Sequence, residues 1–423
     1  MRADDDRHAL PGLGYYCLMM QLEAIGVARG RVRKGWAGPA LLAALLLSAP
    51  DRAGAAETAV PGTALVYRAF AETEGGYDSN PDSLVAKTGS PFEKIEGGIN
   101  VTYTRPQEFY VLTLKAREVH FDDLDLENRW DFRAALDTTF DLSPSDTLKI
   151  GTSYLRDFFV LERADVYYSY LEYAHRADDY RLKLQARSNV EKNLNDEGRG
   201  TEDIDVFNIS RSEAYDYSRT DGQVSLLTFT RSKIQPFVIY DFANLDYFSQ
   251  VANPLVDRNA QEQFGIVGLR FDLDPSFRVD IGGRVNRRDF EDKIVTDHDS
   301  AWFDINMYWT PMDTVKVTAI AERLVKEPST SFGLADDVRT VGGTLEWNVA
   351  EHWRLYTTGY YDRIEAIGDD FRENKFVATL SISYEPNDKV ECFLSALGKW
   401  VNEEVTGDEY DRYKIGAGLR YKF

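Results

Sequence analysis

Cysteine is almost missing from these 423 residues, with only Cys17 and Cys392 present, so no disulfide framework can hold the fold together. Cys17 lies in a segment expected to be removed, which leaves Cys392 without a partner. Long apolar runs are lacking as well. No stretch reaches the roughly 20 apolar residues that a helical crossing of a bilayer needs, which excludes helical membrane spans. Positive charge is scarce: 49 Lys and Arg against 70 Asp and Glu leave a formal net charge of −21. Counterion release from nucleic acid requires a clustered basic surface, so a general nucleic-acid binder is excluded. The residue patterns of chemistry are also absent. There is no Gly-x-Ser-x-Gly nucleophile turn, no paired-histidine metal motif and no Gly-containing twelve-residue calcium loop. No catalytic residue, metal or cofactor is expected.

What the chain does have is aromatic side chains, 24 Tyr and 23 Phe in a total of 13%. Spread over many short strands, such rings suit a protein with one face at a membrane interface and the other in water. A leader precedes them. Arg31, Arg33 and Lys34 form a positive segment, Ala37 to Ala49 an apolar core, and Ala53-Gly54-Ala55 a small-x-small cleavage site, with cleavage expected after Ala55 or Ala56. Residues 1–55 are therefore read as leader including a signal peptide, with Met19 or Met20 as alternative starts, 56–63 as a short periplasmic segment, and 64–423 as one barrel domain.

From Ala64 onward one device repeats: about ten alternating residues, a tight polar turn, a second such run, then a longer acidic loop. The tight turns are Arg105-Pro106-Gln107, Ser143 to Asp146, Arg176 to Asp179, Arg231 to Lys233, Asp274 to Ser276, Pro311 to Asp313, Ala350 to His352 and Pro386 to Asp388. Eight turns join sixteen strands, and one more strand at each end predicts eighteen, with sixteen as the lower alternative. The fold class is all-β, a transmembrane antiparallel up-and-down barrel with both termini on the periplasmic side. A β-propeller has similar spacing, but no blade signature recurs here and every strand is charged on one face.

Alternation assigns the faces. Tyr413, Ile415, Ala417, Leu419, Tyr421 and Phe423 oppose Arg412, Lys414, Gly416, Gly418, Arg420 and Lys422; Phe277, Val279, Ile281 and Val285 oppose Arg278, Asp280, Arg284 and Asn286. The same reading places Lys115, Arg117, Arg133, Lys149, Arg181, Lys183, Arg187, Lys316 and Arg354 inward with Arg278, Arg284, Arg412, Lys414 and Arg420, giving a lumen rich in cations. Inward acids, Glu96, Asp131, Asp137, Asp141, Asp280, Glu322, Glu346, Asp362 and Glu391, offset part of it. Tyr103, Tyr110, Tyr173, Tyr180, Phe271, Phe277, Trp309, Trp347, Trp353 and Tyr384 are predicted as the girdle near the tight turns. Trp130, Tyr167, Phe264, Trp302, Phe376, Trp400 and Tyr410 are predicted as the outer one.

Tyr413 to Phe423 resembles the last strand by which bacterial outer-membrane barrels are recognised for assembly, which implies Leu419, Tyr421 and Phe423 as an assembly signal. Glu74-Gly75-Gly76-Tyr77-Asp78-Ser79-Asn80-Pro81 resembles the first strand of the outer-membrane β-barrel porin family, type 2. That resemblance implies an outer-membrane location and a link to exopolysaccharide export. The partners expected are outer-membrane lipid and lipopolysaccharide, the barrel-assembly machinery and a polysaccharide; the oligomeric state stays open. The expected function is a porin-like passage for a hydrophilic solute, since inward Arg and Lys favour anions. Two alternatives stand beside it: a lipid acyl hydrolase using His298 with Asp297 and Ser300, or His120, and a structural barrel plugged by residues such as Glu191 to Thr220. Asp122 to Asp125 and Asp297 to Asp299 are expected to be solvated acidic loops.

Overall fold

The computed structural model describes residues 63–79, 89–122, 129–159, 163–194, 217–247, 257–292, 294–326, 334–368, 370–404, 407 and 409–423. The leader, its cleavage site, most of the Asp122 to Asp125 loop and the suspected plug between 195 and 216 lie outside them.

Tight turns succeed each other as the alternation predicts. β1 (Ala64–Asp78) leads into the hairpin of β2 (Ser90–Arg105) and β3 (Glu108–Phe121), followed by β4 (Arg129–Asp141) with β5 (Asp146–Phe159) and β6 (Arg163–Arg176) with β7 (Tyr180–Leu194). Next come β8 (Tyr217–Thr228) with β9 (Ile234–Tyr247), β10 (Ala260–Asp274) with β11 (Phe277–Phe290), and β12 (His298–Met312) with β13 (Val315–Lys326). β14 (Ala335–Ala350) with β15 (Trp353–Ile367), β16 (Arg372–Asn387) with β17 (Val390–Glu403), and β18 (Glu409–Lys422) complete the set. Their turns are closed by local side-chain caps. Asn387 Oδ1 accepts from the backbone N–H of Lys389 and Val390, Asp274 Oδ1 from that of Ser276, and Ser143 Oγ from that of Ser145.

All eighteen strands form one antiparallel sheet, and β1 pairs with both β2 and β18, so the sheet closes. Closure leaves no long strand edge in hydrocarbon, where each unpaired backbone group costs several kcal/mol. One seam is shorter than the rest. Between β12 and β13 pairing runs from Met312 and Val315 only to Ile305 and Ala321, whereas β13 to β14 stays in register as far as Lys326 and Asp336. Above that point side chains bridge the gap: Arg323 Nη1 donates to the Ala301 carbonyl, and Asn286 Nδ2 to the Arg323 carbonyl.

Small apolar clusters sit inside the long-loop end: Phe92 with Val119 and Phe121, Tyr217 with Ala243, Leu245 and Tyr247, and Phe290 with Ala260, Val325, Leu334 and Ala335. The large exposed apolar residues instead lie along the outer wall, such as Val267, Val285, Ile281, Leu394 and Ile415. This is the inverse of a soluble protein and the expected state of a barrel solvated by lipid.

Candidate functional site

Because cross-strand partners share a face, register carries each sequence-predicted lumenal residue to a definite place. β1 turns Glu72, Glu74 and Asp78 inward, all buried, and β18 lays Arg420 and Lys414 opposite Glu72 and Asp78. Arg420 binds Glu72 at 2.5 Å and Glu391 at 3.3 Å; Arg412 binds Asp78 at 2.6 Å; Lys414 stands 3.9 Å over the Phe92 ring. On the neighbouring strands Lys115 pairs with Glu96 at 2.7 Å and Arg117 with Asp131. Arg354 pairs with Glu385 at 3.1 Å at the tight-turn rim and is half exposed.

The other eight predicted cations surround a cavity of about 1530 Å³ enclosed by β4 to β14. Lys149 and Lys183 share Glu172, at 3.4 Å and 2.6 Å. Arg187 reaches Asp221 and, at 2.5 Å, Asp241; Arg278 reaches Asp272 at 2.6 Å; Arg284 reaches Asp304 at 2.5 Å and Glu322 at 4.0 Å. Arg181 also lines the wall, as do Arg133 and Lys316, for which no ion pair is found among the described residues. Sequence reading missed Arg219, Arg270 and Lys326, and three cations carried on or beside the tight turns, Arg176, Arg231 and Lys233. In all, fourteen Lys and Arg and nine Asp and Glu line the cavity of a protein whose overall charge is −21. The wall runs from the turn residues Ser145 and Pro275 at one end to Tyr217 and Lys326 at the other. Its chemistry suits the passage or retention of hydrophilic anions.

Two outer-girdle assignments are corrected. Phe264 lines the cavity, 4.8 Å beneath the Arg284 guanidinium, and Tyr410 faces inward with Lys399 5.2 Å over its ring. Trp302 lies at the β12 to β13 gap, its ring 4.5 Å from that of Phe303 and 5.7 Å from the Arg339 guanidinium. Trp130, Tyr167, Phe376 and Trp400 stand at the outer end as expected, Trp130 stacked on Phe132 and Trp400 bonded through Nε1 to the Tyr413 hydroxyl. Leu419, Tyr421 and Phe423 are exposed on the outer wall, and the Phe423 N–H donates to the Ala69 carbonyl across the closing seam. Asp297, His298 and Ser300 do not converge: Asp297 accepts from the Phe290 N–H, His298 Nε2 lies 3.4 Å from Asp337, and Ser300 accepts from Asn286.

The barrel can be set beside known proteins. Among solved structures it is similar to the outer membrane protein opdK of Pseudomonas aeruginosa, at 10% identity and TM-score 0.46, covering 84% of this chain and 99% of that one. It is also similar to the siderophore receptor PirA of Acinetobacter baumannii, at 8% identity and TM-score 0.46, covering 84% and 80%. No curated protein matches. The model of the family described as "Putative beta-barrel porin 2" matches residues 172–423, more than half of the chain and every strand from β7 onward. With that match, the closed sheet and the lipid-facing outer wall, the chain belongs to this β-barrel porin family of the bacterial outer membrane.

Proposed function

We propose that the barrel is a passage through the outer membrane for a hydrophilic, anionic solute and is not a catalyst, with an exported acidic polysaccharide as the solute class. The cationic excess of the cavity wall carries this reading: fourteen bases against nine acids in an otherwise acidic protein raise the local concentration of anions and lower that of cations. A strand number of eighteen supports it, since barrels of eight strands are filled by side chains and those of sixteen to eighteen keep an aqueous lumen. The polysaccharide follows from the first-strand resemblance of Glu74 to Pro81. The test is planar-bilayer recording of the purified full chain under a KCl gradient, with an acidic oligosaccharide then added to one side. Reversal potentials on the anion side and concentration-dependent block by the oligosaccharide are expected. A cation-selective or silent barrel, with polysaccharide secretion unchanged in a deletion strain, would sink the proposal.

A second reading is favoured by one observation. Most wall cations are already bonded to carboxylates, as a structural ion-pair lattice would require, and apolar clusters close in at the long-loop end. A plugged barrel of this kind would stay silent in the same recording.

A further inference from the structure

Charge on the outer wall is not arranged like charge in the lumen. Strand lysines such as Lys94, Lys115, Lys316 and Lys375 turn inward, while the outward cations among the described side chains are arginines. Three of these form a row. Arg323 is the register partner of Arg339 and Arg339 that of Arg363, so one guanidinium from each of β13, β14 and β15 stands on one level of the outer face. Facing residues on adjacent strands have Cβ atoms about 5 Å apart, and like charges so placed destabilise a sheet. A row of three needs a compensating anion.

The protein supplies three carboxylates, unevenly placed along the row. Asp337 binds Arg323, while Glu365 is shared, 3.2 Å from Arg339 and 2.9 Å from Arg363; the other carboxylate near Arg363, Glu404, is 3.9 Å away. Arg339 Nε is buried and has no hydrogen-bond partner among the described residues. The level of the row matters as well. One rung nearer the tight turns, Val341, Tyr361, Phe376 and Trp400 are register neighbours, all exposed, and form the apolar and aromatic band. The arginines stand two residues beyond it, about 7 Å along the strands, where acyl chains give way to headgroups. Guanidinium groups match phosphate in planar, two-point geometry, which an ammonium group does not.

We propose that Arg323, Arg339 and Arg363 form a binding site on the lipid side of the barrel for the phosphate of a phosphorylated glycolipid in the outer leaflet. Asp337 and Glu365 hold the three side chains in line, and the lipid phosphate binds the exposed edges of the Arg339 and Arg363 guanidinium groups, about a third of whose side-chain surface stays open. The site stands apart from the lumen, so it does not depend on whether the barrel conducts.

The probe is fluorescent bis-phosphorylated lipid A in mixed detergent micelles with the folded full chain, compared with the same lipid after phosphatase treatment and with inorganic phosphate as competitor. The unaltered protein should bind the phosphorylated lipid at least tenfold more tightly than the dephosphorylated one, and millimolar inorganic phosphate should not displace it. Arg339→Gln with Arg363→Gln should abolish that preference. Arg156→Gln with Arg287→Gln, which removes two outward arginines off the row, should retain it. Heat-modifiable gel mobility checks that each variant folds. Should the Gln pair not fold, Arg339→Lys with Arg363→Lys keeps the charge and loses the two-point geometry, and must weaken binding several-fold. Equal binding of both lipids, unchanged affinity in the Gln or Lys pair, or displacement by inorganic phosphate would each overturn the proposal.

Discussion

A side chain in this wall has one of two solvents, and its parity along the strand decides which. Ile281 points to lipid near mid-strand and Lys316 to the cavity, so Ile281→Arg should cost about 2–4 kcal/mol of barrel stability while Lys316→Ser costs close to nothing. Urea titration in lipid vesicles measures both, and a reversed order would show the faces to be exchanged. Within the lumen the cost depends on pairing. Arg284 and Asp304 are about nine-tenths buried and bonded at 2.5 Å, so removing either leaves an uncompensated charge, at about 3–5 kcal/mol. Arg284→Met with Asp304→Leu should therefore lose less than either single change, the double-mutant cycle being the measurement. Parity was legible in the sequence wherever charge alternated with apolar residues, as from Phe277 to Asn286. It failed for Phe264 and Tyr410 because an aromatic ring is compatible with both solvents. Position near a strand end then misled, although Phe264 shares the parity of Glu262 and Arg270, two buried charges on the same strand.

Strands and turns were the most readable elements, because a tight turn with Asn, Asp or Ser at its capping position leaves a local trace. All eight predicted turns connect paired strands. The closing seam is readable only afterwards. The segment Glu74 to Ser79 closes the barrel on β18 and reaches β17 beyond it: Asp78 holds Arg412, Ser79 exchanges bonds with the Tyr413 backbone, and Glu74 accepts from Ser395 of β17. Gly76 lies in this contact, where an added Cβ would fall 2.8 Å from Gly416 Cα and closer still to the Ile415 carbonyl. Backbone cannot move aside as a side chain can. Gly76→Val should then cost about 1–3 kcal/mol and lower the folded fraction on a heat-modifiable gel, whereas Gly283→Ala, with open space around its Cβ, should fold normally. Equal yields would mean that β1 and β18 close in another register. The truncated pairing of β12 with β13 left no sequence trace, because loss of a ladder depends on how neighbouring strands curve and not on either strand alone.

At the scale of the molecule, charge is segregated: the chain is acidic as a whole and its cavity wall basic. The sequence showed inward cations but not their partners, since ion pairs join strands far apart along the chain, as Arg187 does with Asp241. Partners decide which cations still act on a passing solute. A guanidinium bonded to a carboxylate contributes a dipole, whereas Arg133 and Lys316 contribute whole charges to the wall. Those two, which also leave no orphaned acid behind, are the strand residues on which selectivity should depend; Lys233, also without an ion pair among the described residues, stands exposed at a tight turn. Arg133→Ser with Lys316→Ser is expected to move the reversal potential toward cations with little change in folding. Replacing Arg284 should instead act mainly through stability. The effect must also be screened: the Debye length falls from about 10 Å at 0.1 M salt to about 3 Å at 1 M, so the difference between protein and variant should shrink over that range. Recordings at both concentrations separate this from a change in pore shape. A shift that persists undiminished at 1 M would come from altered geometry and not from wall charge.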